Sequence, residues 1–301
     1  MMKKVLLTGA TGFIGRHSIP FLLAEGYEIH AIARNNQSFP PTVHVHQVDL
    51  CDDHQIIKLL NVIKPSHLLH FAWYTIPGKY WTSEANLDWV RSSIKLFQEF
   101  VANGGKRIVV SGTCAEYEWG GSHPCEEYST PLKPHSLYGA CKSSLYQLLE
   151  AYAKQSNISF AWGRIFFLYG PFEYKERLVS SVILKLLRHE IAACSHGNQI
   201  RDFMHVEDVA SGFVSLLNSD MQGAVNIASG QNVTLKQVIH AIAEKVNSVG
   251  KVQHGSILTP NDPPVITANI SRLANELKWT PKYSLDEGLN QTIAWWKKTT
   301  V

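Results

Sequence analysis

The chain of 301 residues contains no apolar run near the roughly eighteen residues a membrane span requires. It also lacks any cluster of basic residues. Twenty-eight Lys+Arg against 25 Asp+Glu leave a net charge of +3, too small and too evenly spread for nucleic acid or an acidic membrane to be the partner. Cysteine is scarce, with five residues at positions 51, 114, 125, 141 and 194. The number is odd and no CxxC occurs, so neither a disulfide framework nor a zinc finger is expected, and a reducing cytoplasm is the expected setting. The opening "MMKKVLLTGA" puts two lysines before an apolar stretch, but that stretch breaks at Gly9, too soon for a secretory signal. No internal repeat or low-complexity segment is found. What remains is an ordinary globular composition, 45% hydrophobic and 18% charged, long enough to bury a sizeable core.

Strands and helices alternate from the start. "KKVLLTGA" reads as a buried strand, "GRHSIPFLLAEG" as a helix and "YEIHAIAR" as a second strand. "VHVHQVDL", "SHLLHFAW", "KRIVVSGT" and "ISFAWGRI" continue the strands, with helices at "DDHQIIKLLNVI", 83–105 and 136–154 between them. This β-α-β order with short links predicts an α/β fold, a doubly wound parallel sheet with right-handed crossovers. Beyond "YGPFEYKERLV" the loops lengthen and strands thin out. The expected division is residues 1–170 as the larger domain and 171–301 as a smaller C-terminal α/β lobe, which includes the Pro-rich stretch 260–264. One segment near 200–228, containing "GAVNIAS", returns to the main sheet.

"TGATGFIG" places Gly9, Gly12 and Gly15 directly after the first strand, where the first helix opens. Glycine lets the backbone approach a pyrophosphate, and the helix N-terminus offers free N–H groups and the positive end of its dipole. This is the Rossmann signature for a dinucleotide. An NAD-selective site usually ends the second strand with a carboxylate that grips the ribose 2′-hydroxyl. Here Ala33 and Arg34 stand there instead. A guanidinium suits a 2′-phosphate, so NADP (as NADPH) is the expected cofactor, with NAD possible. Asp49 and Leu50, ending the third strand, mark the expected adenine position.

Tyr138 and Lys142 in "LYGACK" lie four apart, on one face of a helix. A nearby ammonium is expected to lower the phenol's pKa and make it a proton donor or acceptor. Thr113 ends a strand at the C-terminal edge of the sheet, where doubly wound folds bind ligands. A strand-end hydroxyl followed by Tyr-x-x-x-Lys is a proton-transfer arrangement. With this set in place, and with "GRIFFLYGP", "QIRDFMHVEDVA", "NVTLKQVI" and "LKWTPKYSLDEGL", the chain resembles an extended short-chain dehydrogenase/reductase of the nucleotide-sugar epimerase/dehydratase group over nearly its whole length. The resemblance implies that Thr113 polarises the sugar, Tyr138 is the acid/base, Lys142 binds the cofactor ribose and Asn86 supports the site. It extends the cofactor contacts to Thr11, Phe13, Ile14, Phe71, Ala72 and Ser111. For the substrate, a nucleoside diphosphate joined to a hexose, it implies Trp73, Tyr74, Tyr117 and Arg201, together with Phe167, where relatives commonly carry asparagine. For Arg201 the alternative is a salt bridge with Asp202 or Glu207. Helices 83–103 and 136–154 resemble the pair through which relatives form homodimers.

Departures from the family pattern sort the reaction. Dehydratases carry an Asp-Glu pair after the threonine; here Cys114 and Ala115 stand there. Epimerising reductases use a cysteine two places on, and that place is Ala115, while Cys114 would point elsewhere in an extended segment. The expectation is NADPH-dependent reduction of the C4 carbonyl of a nucleoside-diphosphate 4-keto-6-deoxyhexose, in deoxysugar or surface-polysaccharide biosynthesis. The alternatives are a 4-epimerase that retains its cofactor and a non-catalytic NADP sensor. No metal is expected: His44 and His46 share a strand face but no third ligand has recognisable spacing. His70, His196 and His205 read as packing or network residues.

Overall fold

The computed structural model describes residues 3–34, 39–121, 124–259 and 262–300; Pro260 and Asn261 of the Pro-rich stretch lie outside them. The chain opens with β1 (Lys4–Thr8), α1 (Phe13–Ala24), β2 (Glu28–Ala33), β3 (Val43–Gln47), α2 (Asp53–Ile63), β4 (His67–His70), α3 (Ala85–Ala102) and β5 (Arg107–Thr113). It continues through α4 (Leu137–Gln155), β6 (Ser159–Ile165), β7 (Phe167–Tyr169), α5 (Leu178–Leu187), β8 (Ala192–Ala193), β9 (Ile200–His205), α6 (Val206–Asn218) and β10 (Gly223–Ile227). The last elements are β11 (Asn232–Thr234), α7 (Leu235–Lys245), β12 (Val252–Gln253), β13 (Val265–Ile266) and α8 (Leu285–Thr300).

A seven-stranded sheet runs in the order β10-β6-β5-β4-β1-β2-β3, parallel at every pairing. This is the doubly wound α/β arrangement the sequence predicts. Both faces of the sheet are covered, so its strands are apolar on alternate residues in both directions. Val5 and Leu7 of β1 join Ile19 and Leu22 of α1 and Val209 and Phe213 of α6 in one core layer. Leu6, between them, packs into the opposite layer with Leu60 of α2, Phe97 of α3 and Leu145 of α4. A smaller sheet has the order β11-β9-β13, with β7 also paired to β9. α5, α7 and α8 enclose a third cluster beside it, including Ile183, Ile239 and Ile293.

The chain crosses between the two sheets more than once. β6 belongs to the large sheet and β7, one residue later, to the small one. β9 stays in the small sheet, whereas β10 takes the edge of the large one, beside β6. The histidines of β3 also have a neighbour that spacing could not reveal. His30 of β2 stacks on His44 and His46, with centroids 4.9 and 5.2 Å away, and hydrogen-bonds His46 at 2.9 Å. Burial holds His30 and His46 below the usual imidazole range. Among the described residues no group of three or more such side chains has the geometry to hold a metal.

Where β5, β6 and β10 run together, the core holds charge. Arg164 and Glu116 are both fully buried and pair through Nε and Oε2 at 2.7 Å. Glu116 also accepts hydrogen bonds from the Trp162 indole (2.9 Å) and the Thr113 backbone N–H (2.8 Å). Arg164 donates to the Tyr117 hydroxyl (3.1 Å) and the Glu127 carbonyl (2.9 Å), and Tyr117 donates to Asn226 Oδ1 of β10 (2.7 Å). Removing one partner leaves the other charge desolvated and unmatched. Glu116→Ala should therefore lower the unfolding free energy by about 3–5 kcal/mol in urea titration. A loss below about 1 kcal/mol, the scale of a surface pair, would show that this pair does not hold the junction.

Candidate functional site

A cleft of about 1620 Å³ opens along the C-terminal edge of the large sheet and extends to the small lobe. It exceeds the roughly 300–1,000 Å³ of a pocket for one small ligand, leaving room for a dinucleotide and a second ligand. At one end lies the loop between β1 and α1. Gly9 holds φ +67°, and a Cβ on it would meet the Ala72 backbone N at 2.8 Å. A Cβ on Gly15 would lie 2.1 Å from the Gly9 carbonyl oxygen. α1 thus packs close against the loop, with Gly12 at its N-cap and no acidic residue in its first turn. Thr11, Phe13 and Ile14 line this end as well. The cradle fits a pyrophosphate: side-chain-free backbone, free N–H groups and a positive dipole end.

The remaining cofactor candidates border the same trough. Arg34 is exposed at its rim, directly after buried Ala33. Asp49 and Leu50 line the neighbouring wall; Asp49 Oδ1 accepts the Cys51 N–H at 2.9 Å. Phe71 and Ala72 follow β4, and Ser111 sits within β5. His70 is a buried strut rather than a cleft residue. It bonds Thr8 Oγ1 (2.7 Å) and Ser93 Oγ (3.0 Å), and burial lowers its pKa to about 3. His205 caps α6 by accepting the Glu207 N–H, and His196 accepts the Asn198 N–H.

Tyr138 sits in the first turn of α4, which Ser136 caps by accepting the Gly139 N–H at 3.1 Å. This turn seats against the residues following β5: a Cβ at Gly139 would lie 2.3 Å from the Ala115 carbonyl. The Tyr138 phenol thereby comes beside the Thr113 side chain, which acts to lower its pKa. Burial pushes the phenol's pKa up, and the neighbouring Tyr80 phenol adds to the effect. This reverses the expectation that Lys142 lowers it. Lys142 Nζ donates to the Ser111 carbonyl at 2.8 Å and lies 3.8 Å from the Trp73 ring centroid. Burial drops its pKa from 10.5 to about 7, with Glu116 opposing the fall. Desolvation drives both groups toward their neutral forms. A neutral phenol beside a hydroxyl is the form that can donate a proton to a ligand oxygen.

Other expected positions divide into those that reach the cleft and those that do not. Trp73, Tyr74, Phe167 and Arg201 line it. Arg201 pairs with Asp262 at 2.6 Å, not with Asp202 or Glu207. Asp202 instead accepts the Ser229 and Gly230 N–H groups, and Glu207 accepts from Tyr283 and Gln291. Tyr117 is fully buried in the polar network below Thr113 and does not line the cleft. Asn86 is likewise enclosed. It accepts the Trp73 indole N–H (2.8 Å) and donates to the Tyr80 and Ser83 carbonyls (2.7 and 2.8 Å), so it shapes the wall from behind. Cys114 does line the cleft, because the chain turns after Thr113 into a short 3-10 helix over Cys114–Glu116. Burial raises its thiol pKa and keeps it neutral. The aromatic residues Tyr80, Trp81 and Trp119 and the ionisable Glu173 and Arg177 also line the cleft. They sit in loops or at a helix start, without periodicity or motif; only the aromatic density of "KYW" hinted at them.

Comparison with known proteins follows this geometry. A profile of the NAD dependent epimerase/dehydratase family matches residues 5–228. UDP-glucuronic acid decarboxylase 1 of Xenopus tropicalis is 28% identical, over 98% of this chain and 72% of its own length. UDP-glucose 4-epimerase of Thermotoga maritima, solved with UDP-glucose, superimposes with a TM-score of 0.90 at 21% identity, covering 99% of this chain and 100% of that one. The UDP-glucose 4-epimerase of Thermus thermophilus in complex with NAD gives 0.85 at 24% identity, over 98% and 99%. At these identities the two structures establish the shared fold.

The buried lysine has a thermodynamic consequence. Its folded pKa lies below its unfolded value, so between about pH 7 and 10.5 the unfolded chain binds the extra proton and stability rises with pH. Below that window the full cost of the buried ammonium is present. Lys142→Met should stabilise the cofactor-free protein by a few kcal/mol at pH 6, and the gain should shrink toward pH 10. Paired unfolding curves of wild type and variant at three pH values test this. A pH-independent difference would contradict it.

Proposed function

The chain belongs to the NAD-dependent epimerase/dehydratase family, and from that premise we propose that it reduces the C4 carbonyl of a nucleoside-diphosphate 4-keto-6-deoxyhexose with NADPH. The observation that carries the reading is at the end of β2. Ala33 is buried and offers no carboxylate, while Arg34 stands exposed at the cleft rim. A reductase must exchange its cofactor each cycle, and a guanidinium there favours the phosphorylated dinucleotide. The surroundings of Thr113 support the same conclusion. Cys114, with its neutral thiol, and buried Ala115 supply no acid/base pair for elimination.

In this reading the glycine loop holds the cofactor pyrophosphate, Arg34 its 2′-phosphate and Lys142 its ribose. Asp49 and Leu50 flank the adenine, with Phe71, Ala72 and Ser111 along the floor. The bound nicotinamide supplies the hydride. Tyr138 gives its proton to the oxygen at C4 as negative charge develops there, and Thr113 holds that oxygen by a hydrogen bond. Trp73 and Tyr74 wall the sugar, and Phe167 and Arg201 border the nucleotide end. Leu87 on α3 and Leu148 on α4 are exposed and would lie in the interface of a cytoplasmic homodimer.

Loss of reduced nicotinamide should be followed with NADPH and NADH against CDP-, dTDP-, GDP- and UDP-linked 4-keto-6-deoxyhexoses. Stoichiometric NADPH consumption with one of them is the expected result. Interconversion of C4 epimers without consumption would make the protein an epimerase and remove the argument from Arg34. Tyr138→Phe should lower turnover about 10²–10⁴-fold with NADPH affinity nearly unchanged; near-normal turnover would end the assignment of Tyr138. Arg34→Asp should shift the ratio of kcat/KM for NADPH over NADH at least about tenfold toward NADH.

A further inference from the structure

Tyr80 lies between β4 and α3, outside every motif in the sequence, yet it is the nearest ring to Tyr138. The two rings meet edge to face, with centroids 4.9 Å apart and planes at 87°. Tyr80 is itself buried. Its backbone carbonyl is fixed by Asn86, and the next residue, Trp81, accepts the Tyr138 backbone N–H at 3.1 Å and sets a second edge against the Tyr138 ring. The Tyr80 side chain is held from the opposite wall. Arg177, the residue that precedes α5, places its guanidinium 5.2 Å from the Tyr80 ring centroid, where its charge opposes the rise that burial imposes on the Tyr80 phenol's pKa. Glu173, four residues earlier, accepts the Ser180 hydroxyl at 2.5 Å; burial pushes its carboxyl up to about 7, and nearby Arg177 opposes the rise. A continuous line of contacts therefore runs from the small lobe across the cleft to Tyr138.

We propose that Arg177 and Tyr80 are a positioning pair for Tyr138: Arg177 clamps the Tyr80 ring, and the Tyr80 ring fixes the plane of the Tyr138 phenol. The inference rests on Tyr138 being the proton donor. A planar guanidinium suits the task because it can lie flat over a ring, which an ammonium does less well. An edge-to-face ring restricts its neighbour's tilt without taking up the hydroxyl. The pair spans the two lobes, so the proton donor is fully set only while α5 is docked against the segment after β4.

The pair acts on Tyr138 and not on substrate, so its loss should appear in kcat. On whichever nucleotide sugar the protein turns over, by reduction or epimerisation, Tyr80→Leu and Arg177→Met should each lower kcat about tenfold, an effect of about 1.4 kcal/mol. KM and NADPH affinity should stay within about twofold. The double variant should be no slower than either single one, because both break the same clamp. Arg177→Lys should recover only part of the rate, and Tyr80→Phe, which keeps the ring, should be milder than Tyr80→Leu. A rise in KM alone would mean that Arg177 holds substrate, and multiplicative losses would mean independent roles; either overturns the proposal. A second readout needs no substrate. Phenolate absorbance of Tyr138, taken as the difference from a Tyr138→Phe background at about pH 11, above the usual phenol value, should rise in Arg177→Met. No rise would also overturn the proposal. Full turnover by Tyr138→Phe alone would instead overturn the functional reading, whatever the pair does.

Discussion

A buried ion pair sets the conditions for the whole site. Arg164 and Glu116 are fully enclosed, and charges so placed are tolerated only when every neighbouring donor and acceptor is in position. Most of that demand is met by residues from separate elements. The Trp162 indole and the Thr113 N–H satisfy Glu116; Tyr117 and the Glu127 carbonyl both take Arg164 Nη1, while its Nη2 is left without a partner among the described residues. Glu127 in turn accepts the Asn226 N–H at 2.9 Å, tying β10 to the same network. Thr113 is thereby fixed through its backbone. Its hydroxyl oxygen accepts the Ala115 N–H at 3.2 Å, which leaves the hydroxyl's own hydrogen free to face Tyr138. A site that needs its hydroxyl placed to within a fraction of an ångström gains that placement from the core beneath it.

The electrostatics of the cleft follow from desolvation more than from pairing. Tyr138 and Lys142 lie on one helix face, yet the ammonium is spent on the Ser111 carbonyl and the Trp73 ring. Each group is therefore pushed toward neutrality. A lysine that titrates near pH 7 and a phenol that resists ionisation make a site with little standing charge at its centre. Basic side chains line the cleft away from that centre, among them Arg34 directly after β2 and Lys175 and Lys185 around the start and along the length of α5. That distribution suits ligands whose own charge lies in phosphates and whose reacting part is neutral.

Much of this is legible in the residues. The seven-stranded parallel sheet follows from alternating apolar strands and short links, and the glycine loop from its place after β1. Tyr138, Lys142 and Thr113 share one site because a four-residue spacing and a strand end are local facts. Cys114 shows how narrow that reach is. Extended backbone would turn it away from the site, whereas a single 3-10 turn, capped by the Thr113 hydroxyl and the Glu116 carboxylate, brings it to the cleft.

The sequence by itself determined the alternating elements of the large sheet, its doubly wound class and the residues whose neighbours lie within one turn or one strand; the short strands of the small lobe were not among them. Periodicity and spacing are short-range, and they describe what a segment does before it meets another. Tertiary structure alone decided the long-range partners. Arg201 passed over adjacent Asp202 for Asp262, because Asp202 was already claimed by the Ser229 and Gly230 N–H groups. Tyr117 left the cleft because the buried guanidinium of Arg164 required its hydroxyl. Tyr80 and Arg177 met across the cleft from segments with no pattern at all. In each case a buried polar or aromatic group had to be matched, and the partner was whichever group the packing brought within reach.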